Sequence, residues 1–310
     1  MVEQLLKIIA VVGPTASGKT ALGIALAKKF NGEIISADSR QVYKSMDIGT
    51  AKVEGEKKTD ELGRQFILAE GVPHYGINLI EPSEIFSAAE FKQYALAVIA
   101  EIGRRERLPI LVGGTGLYLK AIVENLQIPA VAPDFKLREN LEKKNLSDLV
   151  EELKKIDPLS VERIDLKNKR RVMRALEAVL SSGRSFAGNW KKGPRLFQSL
   201  EIGIDLPRTE LYRRIDKRVE TQIQQGMIEE TKRLIEKWYK WSWPSMTGIG
   251  YKEIGMYLRG EISLDKAKEL TKFRIHDYAR RQLTWFRKNK DIQWVKDYRE
   301  AENLTRIFLG

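Results

Sequence analysis

The 310-residue sequence contains no cysteine, and its only histidines, His74 and His276, lie 202 positions apart. These absences exclude thiol nucleophiles, Cys-ligated zinc and iron–sulfur clusters. They also leave no histidine cluster for a metal and no evident Ser/His catalytic pair. No stretch reaches the ~18 uncharged apolar residues that a membrane-spanning helix needs. The apolar run from Leu5 to Val12 lacks the basic flank and cleavage site of a secretion signal and reads as a buried strand. A cytoplasmic enzyme that does not engage a membrane is expected. What is present, 43% hydrophobic and 31% charged residues, describes a globular chain with a substantial core, in one large domain or two modest ones.

The formal net charge of +12 is unevenly placed. Residues 1–123 carry +1, residues 124–200 carry +5 and residues 201–310 carry +6. Residues 161–200 alone hold +7, and residues 271–290 hold +6. Any one Lys/Arg run is compatible with a solvated helix face. Two separate concentrations in one chain point instead to a polyanionic partner.

The first 120 residues alternate strand and helix signals. Lys7–Val12, 33–38 and 109–112 are short apolar runs, and 18–30 has helical composition. Between Ser87 and Arg105 the apolar residues recur on one helical face, opened by a Ser87/Glu90 capping box. This pattern predicts βαβ units and a parallel sheet. After residue 124 the chain turns Leu/Glu/Lys/Arg-rich and helical, with Pro129 and Pro133 as linker marks. Residues 182–194 read as a loop, a strand returns at 197–206, and residues 207–290 are helical with breaks at Gly226, Pro244 and Gly248–Gly250. The expected fold is α/β: a P-loop NTPase-like parallel sheet core (1–123), a helical insertion (124–196), and a returning strand with C-terminal helices (197–310).

The segment Gly13-Pro14-Thr15-Ala16-Ser17-Gly18-Lys19-Thr20 fits G-x-x-x-x-G-K-[ST] between the first strand and first helix. Glycines there let consecutive backbone N–H groups turn inward as an anion nest, and the helix N-terminus adds its positive dipole end. Lys19 is the point charge for terminal phosphates, and Thr20 is placed to ligate Mg²⁺. No acidic residue ends the 109–112 strand, which continues Gly113-Gly114-Thr115. Asp38, at the end of the second strand, is the acid expected to face the loop. It suits a general base or a ligand to metal-bound water, or it simply caps Ser39 or Arg40.

The loop alone fits many functions, but the chain resembles the bacterial tRNA dimethylallyltransferase family along nearly its full length. The resemblance rests on the loop, on the stretch Asp38-Ser39-Arg40-Gln41-Val42-Tyr43 through Lys52, on Pro73-His74 and on Phe86-Ser87-Ala88. It continues in 112–118, in Arg170-Arg171-Val172-Met173-Arg174-Ala175-Leu176-Glu177, in 249–253 and in Arg280-Arg281-Gln282-Leu283-Thr284-Trp285. It implies transfer of a dimethylallyl group from dimethylallyl diphosphate to the N6 amine of the adenosine immediately 3′ of the anticodon. Asp38, Thr115 and Lys19 would then be catalytic. Gly13, Thr15, Ala16, Ser17, Gly18, Lys19, Thr20, Arg280 and Arg281 would hold the diphosphate, with Mg²⁺ on Thr20. Asp38, Ser39, Arg40, Gln41, Thr115, Arg138, Arg170, Arg171, Val172, Met173 and Arg174 would contact the anticodon stem-loop of tRNA. A monomer is expected.

Departures from the family pattern fall outside these positions: Thr247, Tyr75 and Asn78. Trp241, Trp243 and Trp285 suit either base stacking or a core. Three other readings compete. One is a small-molecule kinase that uses the insertion as an Arg-bearing lid. Another is a prenyltransferase acting on free adenylate, which the basic insertion argues against. The last is an RNA-binding protein whose loop is a relic or a switch.

Overall fold

The computed structural model describes residues 5–128, 134–187, 191–237, 239–241 and 243–310. Pro129, Pro133 and Gly188 lie outside the described residues. The chain divides into two compact units, one of residues 1–123 with 196–310 and the other of Glu124–Arg195.

The larger unit begins β1 (Lys7–Val12), α1 (Lys19–Lys29), β2 (Gly32–Ser36), β3 (Glu56–Thr59), β4 (Gln65–Ala69), β5 (Val72–Tyr75), α2 (Ala88–Arg104), β6 (Leu108–Gly113) and α3 (Gly116–Val123). Five of the six residues of β1 are buried, as a strand covered on both faces requires. Ile8, Ala10 and Val12 pack with Phe91, Ala95 and Ile99 of α2 and with Leu119 and Ile122 of α3. Ile9 and Val11 pack on the opposite face with Leu22, Ile24 and Leu26 of α1. Ser87 and Glu90 form the expected reciprocal cap of α2.

The smaller unit holds β7 (Leu126–Gln127), α4 (Phe135–Glu142), α5 (Leu146–Ile156), α6 (Pro158–Arg163), α7 (Lys169–Ser182) and β8 (Lys191–Lys192). Leu141, Leu149, Leu153, Val172 and Leu176 form its core, and Gly183 closes α7 in the left-handed conformation at φ 66°. Lys191 and Lys192 pair with Gln127 and Leu126, a two-residue ladder in a stretch that reads from sequence as loop.

The larger unit resumes with β9 (Gln198–Ile204), α8 (Arg208–Gln224), α9 (Met227–Glu236), α10 (Tyr251–Leu258), α11 (Leu264–Phe286), β10 (Gln293–Val295) and α12 (Tyr298–Leu309). The sheet order is β10-β9-β1-β6-β2-β5-β4-β3. From β10 to β5 neighbours are parallel, while β3, β4 and β5 pair antiparallel. That antiparallel extension departs from the simple alternation expected of the first 120 residues. Its outer strand β3 is wholly exposed, so it carries no apolar pattern to read, only the polar edge that discourages pairing with another chain.

The strand order places the ends of β1, β6 and β2 side by side. Residues 13–18, 114–115 and 37–41 therefore meet at the carboxyl edge of the parallel sheet, where open α/β folds bind ligands.

Candidate active site

The loop between β1 and α1 is shaped by positive-φ residues at Gly13 (143°), Ala16 (61°) and Gly18 (97°). Ser17 is buried and its Oγ has no hydrogen-bond partner, an unusual state for a buried hydroxyl and one that an anion in the loop would relieve. Lys19 keeps some exposed surface overall, but its ammonium is turned back into the loop, where it donates to Pro14 O at 2.6 Å. Burial lowers the Lys19 pKa from 10.5 to about 7, with the Asp38 carboxylate opposing the shift and Arg218 adding to it. Thr20 is exposed at the start of α1.

The β6 end is built for close approach. A Cβ on Gly113 would lie 2.1 Å from Ala37 O, and one on Gly114 would lie 2.3 Å from Gln282 Nε2. Only glycine lets the 113–115 backbone run against both neighbours. Thr115 N donates to Ala37 O at 3.1 Å. Its hydroxyl accepts from Ser39 N at 2.9 Å and donates to Ser39 Oγ at 3.2 Å. Thr115 is thereby fixed beside the Asp38–Ser39 turn.

Asp38 Oδ1 accepts from Arg40 N at 2.8 Å, the cap that a loop aspartate makes for itself. No hydrogen bond to its Oδ2 occurs among the described residues. Lys19 and Arg218, at the loop, both feel the Asp38 charge. Gln41 is held on both sides of its amide, accepting from Ser36 Oγ at 2.8 Å and donating to Thr50 O and Ala51 O at 3.3 and 3.2 Å. The Arg40 guanidinium donates to Pro244 O.

Long helix α11 crosses this edge. Gln282 is buried and bridges two elements, accepting from Thr15 N at 2.8 Å and donating to Gly114 O at 2.9 Å. Tyr278 on the same helix has its pKa pushed up to about 12 by burial, reinforced by Asp38 and opposed by Arg40 and Arg281. Trp285 lies over Gly116, where a Cβ would sit 2.1 Å from the indole Nε1. It is 46% exposed, so it belongs to the surface as much as to the core.

Arg280 and Arg281, the two arginines expected at the diphosphate, stand on α11. Arg280 pairs with Asp277, and the Arg281 guanidinium sits 5.9 Å from the Tyr278 ring centre. Both line a cavity of about 360 Å³ with Trp285 and Lys288 that includes no phosphate-loop residue. Arg218 of α8 reaches the loop, its Nη1 donating to Thr15 Oγ1 at 3.2 Å. Burial lowers its pKa while Asp38 opposes the shift. Arg218 and Arg214 also line a second cavity of about 920 Å³, with Lys52, Lys57, Arg213 and Lys217. Sequence reading missed this cluster because Glu210 and Asp216 dilute its net charge. The available signal was the i, i+4 spacing of Arg214 and Arg218 on one helix face.

In the smaller unit, Arg170 and Arg171 are exposed on α7. Val172 and Met173, expected to touch RNA, are buried in the unit's core; their apolar side chains supply the inner face of α7. Arg138 and Arg174 converge on Glu177, which is 1% exposed. Glu177 Oε1 takes Arg138 Nε at 2.8 Å and Asp134 N at 2.9 Å, and Oε2 takes Arg138 Nη2 at 3.0 Å and Arg174 Nη1 at 2.5 Å. These bonds hold the Glu177 carboxyl below its ordinary pKa against the opposing effect of burial.

Among the described residues no group of three or more His, Cys, Asp or Glu side chains is placed to hold a metal, and no helix is long and apolar enough to cross a membrane. Comparison with known proteins places the chain in context. A sequence family described as IPP transferase matches residues 41–289. The tRNA dimethylallyltransferase of Acetivibrio thermocellus is 43% identical over 295 residues, covering 93% of this chain and 91% of that one. The protein of the same name from Geobacillus thermodenitrificans is 44% identical over 295 residues, covering 93% and 90%. Among solved structures, the full-length tRNA isopentenylpyrophosphate transferase of Bacillus halodurans aligns with a TM-score of 0.70 at 38% identity, covering 98% of this chain and 96% of that one. A eukaryotic dimethylallyltransferase acting on tRNA aligns with a TM-score of 0.75 at 28% identity, covering 94% and 74%.

Proposed function

The chain belongs to the IPP transferase family, and on that premise we propose that it transfers a dimethylallyl group from dimethylallyl diphosphate to the N6 amine of the tRNA adenosine immediately 3′ of the anticodon. The observation that carries this reading is the meeting of three loops at one sheet edge. A phosphate nest with Lys19 and Arg218 adjoins the Thr115 hydroxyl and the Asp38–Gln41 turn. Donor and acceptor chemistry thus lie within one site.

The division of work follows from the residues. The nest, Lys19 and Arg218 bind the diphosphate and stabilise the charge that builds as the C1–O bond breaks. Thr115 fixes the Asp38 turn against the nest. Asp38 accepts the amine hydrogen as nitrogen bonds to C1; the C–O electron pair leaves with the diphosphate, and the proton passes from Asp38 to water. Gln41, with both ends of its amide fixed, seats the base. An exocyclic adenine amine is a poor nucleophile, so orientation supplies much of the acceleration. The base must leave its stack to enter. The donor chemistry at the loop suits Mg²⁺: the Thr20 hydroxyl and the diphosphate oxygens are hard ligands, and Mg²⁺ keeps several waters where protein ligands are few. When bound, it adds neutralisation of the diphosphate charge.

Exposed Arg170 and Arg171, with Arg138 and Arg174 held by Glu177, are the proposed grip on the anticodon stem-loop. The protein acts in this reading as a cytoplasmic monomer. Incubation with labelled dimethylallyl diphosphate, Mg²⁺ and either unmodified tRNA or free AMP tests it. Label in tRNA and not in AMP is expected. Transfer to AMP alone, or ATP turnover without RNA, overturns it in favour of the adenylate or kinase reading.

A further inference from the structure

One buried carboxylate has no part in the chemistry above. Glu230 of α9 is 3% exposed. Its Oε2 accepts from Asp47 N at 2.8 Å and Ile48 N at 2.9 Å. Its Oε1 accepts from Gly49 N at 3.1 Å and from the Tyr251 hydroxyl at 2.6 Å. Three successive backbone N–H groups form an anion-binding concavity, filled here by the protein's own side chain. Burial, reinforced by the Glu230 charge, raises the Tyr251 pKa well above 10, so the hydroxyl stays a donor. From α8, Gln222 Nε2 donates to Ile48 O at 2.7 Å and Gly49 O at 3.3 Å. A Cβ on Gly49 would lie 2.5 Å from Tyr251 Cζ, so the backbone rests directly on that ring. Residues 47–49 are thus clamped through amides, carbonyls and ring contact by α8, α9 and α10.

The next two residues hold the acceptor side. Thr50 O and Ala51 O are the carbonyls that orient the Gln41 amide. Lys52 then donates to Tyr43 O at 2.5 Å, Asp47 Oδ1 at 2.7 Å and Asn78 Oδ1 at 2.6 Å, closing the segment onto itself. A displacement of residues 47–49 moves the two carbonyls, and with them an amide three residues from Asp38.

We propose that Glu230 is a positioning residue for the acceptor base: by clamping residues 47–49 it sets the Thr50 and Ala51 carbonyls and, through them, the amide of Gln41. The proposal rests on the reading of Gln41 as part of the base seat.

The test is a double-mutant cycle on transfer kinetics using Glu230→Gln, Gln41→Ala and the double variant, with tRNA and dimethylallyl diphosphate varied separately. A glutamine keeps the size, but its NH₂ faces N–H donors and cannot accept from them. Glu230→Gln is expected to lower kcat/KM for tRNA by about tenfold, the scale of one or two buried hydrogen bonds, with KM for dimethylallyl diphosphate changed less than about twofold. The double variant is expected to be no worse than Gln41→Ala, because both act through one group. Tyr251→Phe removes a single donor and keeps the ring on Gly49; it should give a smaller loss of the same kind and carries the cycle if Glu230→Gln does not fold. Losses that multiply in the double variant overturn the coupling while leaving Gln41 in place. A normal Gln41→Ala enzyme overturns the base-seat reading and this proposal with it.

Discussion

The ammonium of Lys19 makes diphosphate binding a proton-linked event. With the loop free, its pKa lies at about 7 against an ordinary 10.5, chiefly because burial strips its hydration. A diphosphate brought against it favours the charged form and pushes the pKa back up. The sign follows directly. Below about pH 7 the free protein already carries the proton, and affinity is insensitive to Lys19. Above that value the protein must take up a proton to bind, so affinity falls by up to about tenfold per pH unit until the bound-state pKa is reached. The full interval from 10.5 to about 7 corresponds to at most about 5 kcal/mol of ammonium stabilisation that the anion can restore. The assay is titration calorimetry with dimethylallyl diphosphate in two buffers of different ionisation enthalpy. At about pH 8.5 the ligand's own proton, lost near pH 6, is gone, so uptake reports the protein. Uptake approaching one proton is expected at that pH, shrinking toward zero as Lys19 becomes protonated in the free state. Lys19→Met should abolish the uptake and weaken binding. Zero uptake in the parent protein, or the same uptake in Lys19→Met, refutes the assignment.

Other substitutions probe separate parts of the site. Asp38→Ala and Thr115→Val should each lower single-turnover transfer by about 10²-fold or more, with tRNA affinity by filter binding nearly unchanged; near-normal transfer removes the residue from its role. Arg218→Gln should raise KM for dimethylallyl diphosphate by about tenfold or more, the scale of a lost charge-assisted bond, whereas Arg280→Gln should leave that KM within about twofold; the reverse order of effects would return the diphosphate to α11. Gly113→Ala drives a Cβ to 2.1 Å from Ala37 O and should cost about 1–3 kcal/mol in denaturant unfolding; an unchanged midpoint would show that the sheet edge can yield. Glu177→Gln should weaken tRNA binding and flatten its salt dependence if Arg138 and Arg174 are held for phosphate contact.

The parts of the fold that were legible were those whose burial writes a pattern. The run Lys7–Val12 is covered on both faces, and α2 shows its apolar stripe and capping box because one side faces the sheet. The antiparallel strands were not legible, since β3 is exposed throughout and its pairing depends on partners that local sequence does not name. The two-residue ladder of β7 and β8 joins positions more than sixty apart, too short and too distant to leave a signal.

At the site, residue type and spacing made the loop legible, whereas net charge did not point to the cations that lie beside it. Formal charge drew attention to residues 271–290, yet Arg280 is paired with Asp277 and Arg281 lies against Tyr278. Around Arg218 the count is diluted by Glu210 and Asp216, yet that arginine donates to Thr15 of the loop. Glu210 takes Arg213 and Arg214, which leaves Arg218 turned toward Thr15. Net charge therefore locates a polyanion's approach only coarsely, because it sums groups already satisfied with groups that are not. What distinguishes Arg218 and Lys19 is desolvation at the loop: burial lowers the pKa of each, and the Asp38 carboxylate opposes the shift in both. A desolvated cation is costly without a counter-charge, so an anion bound at this sheet edge would relieve both groups.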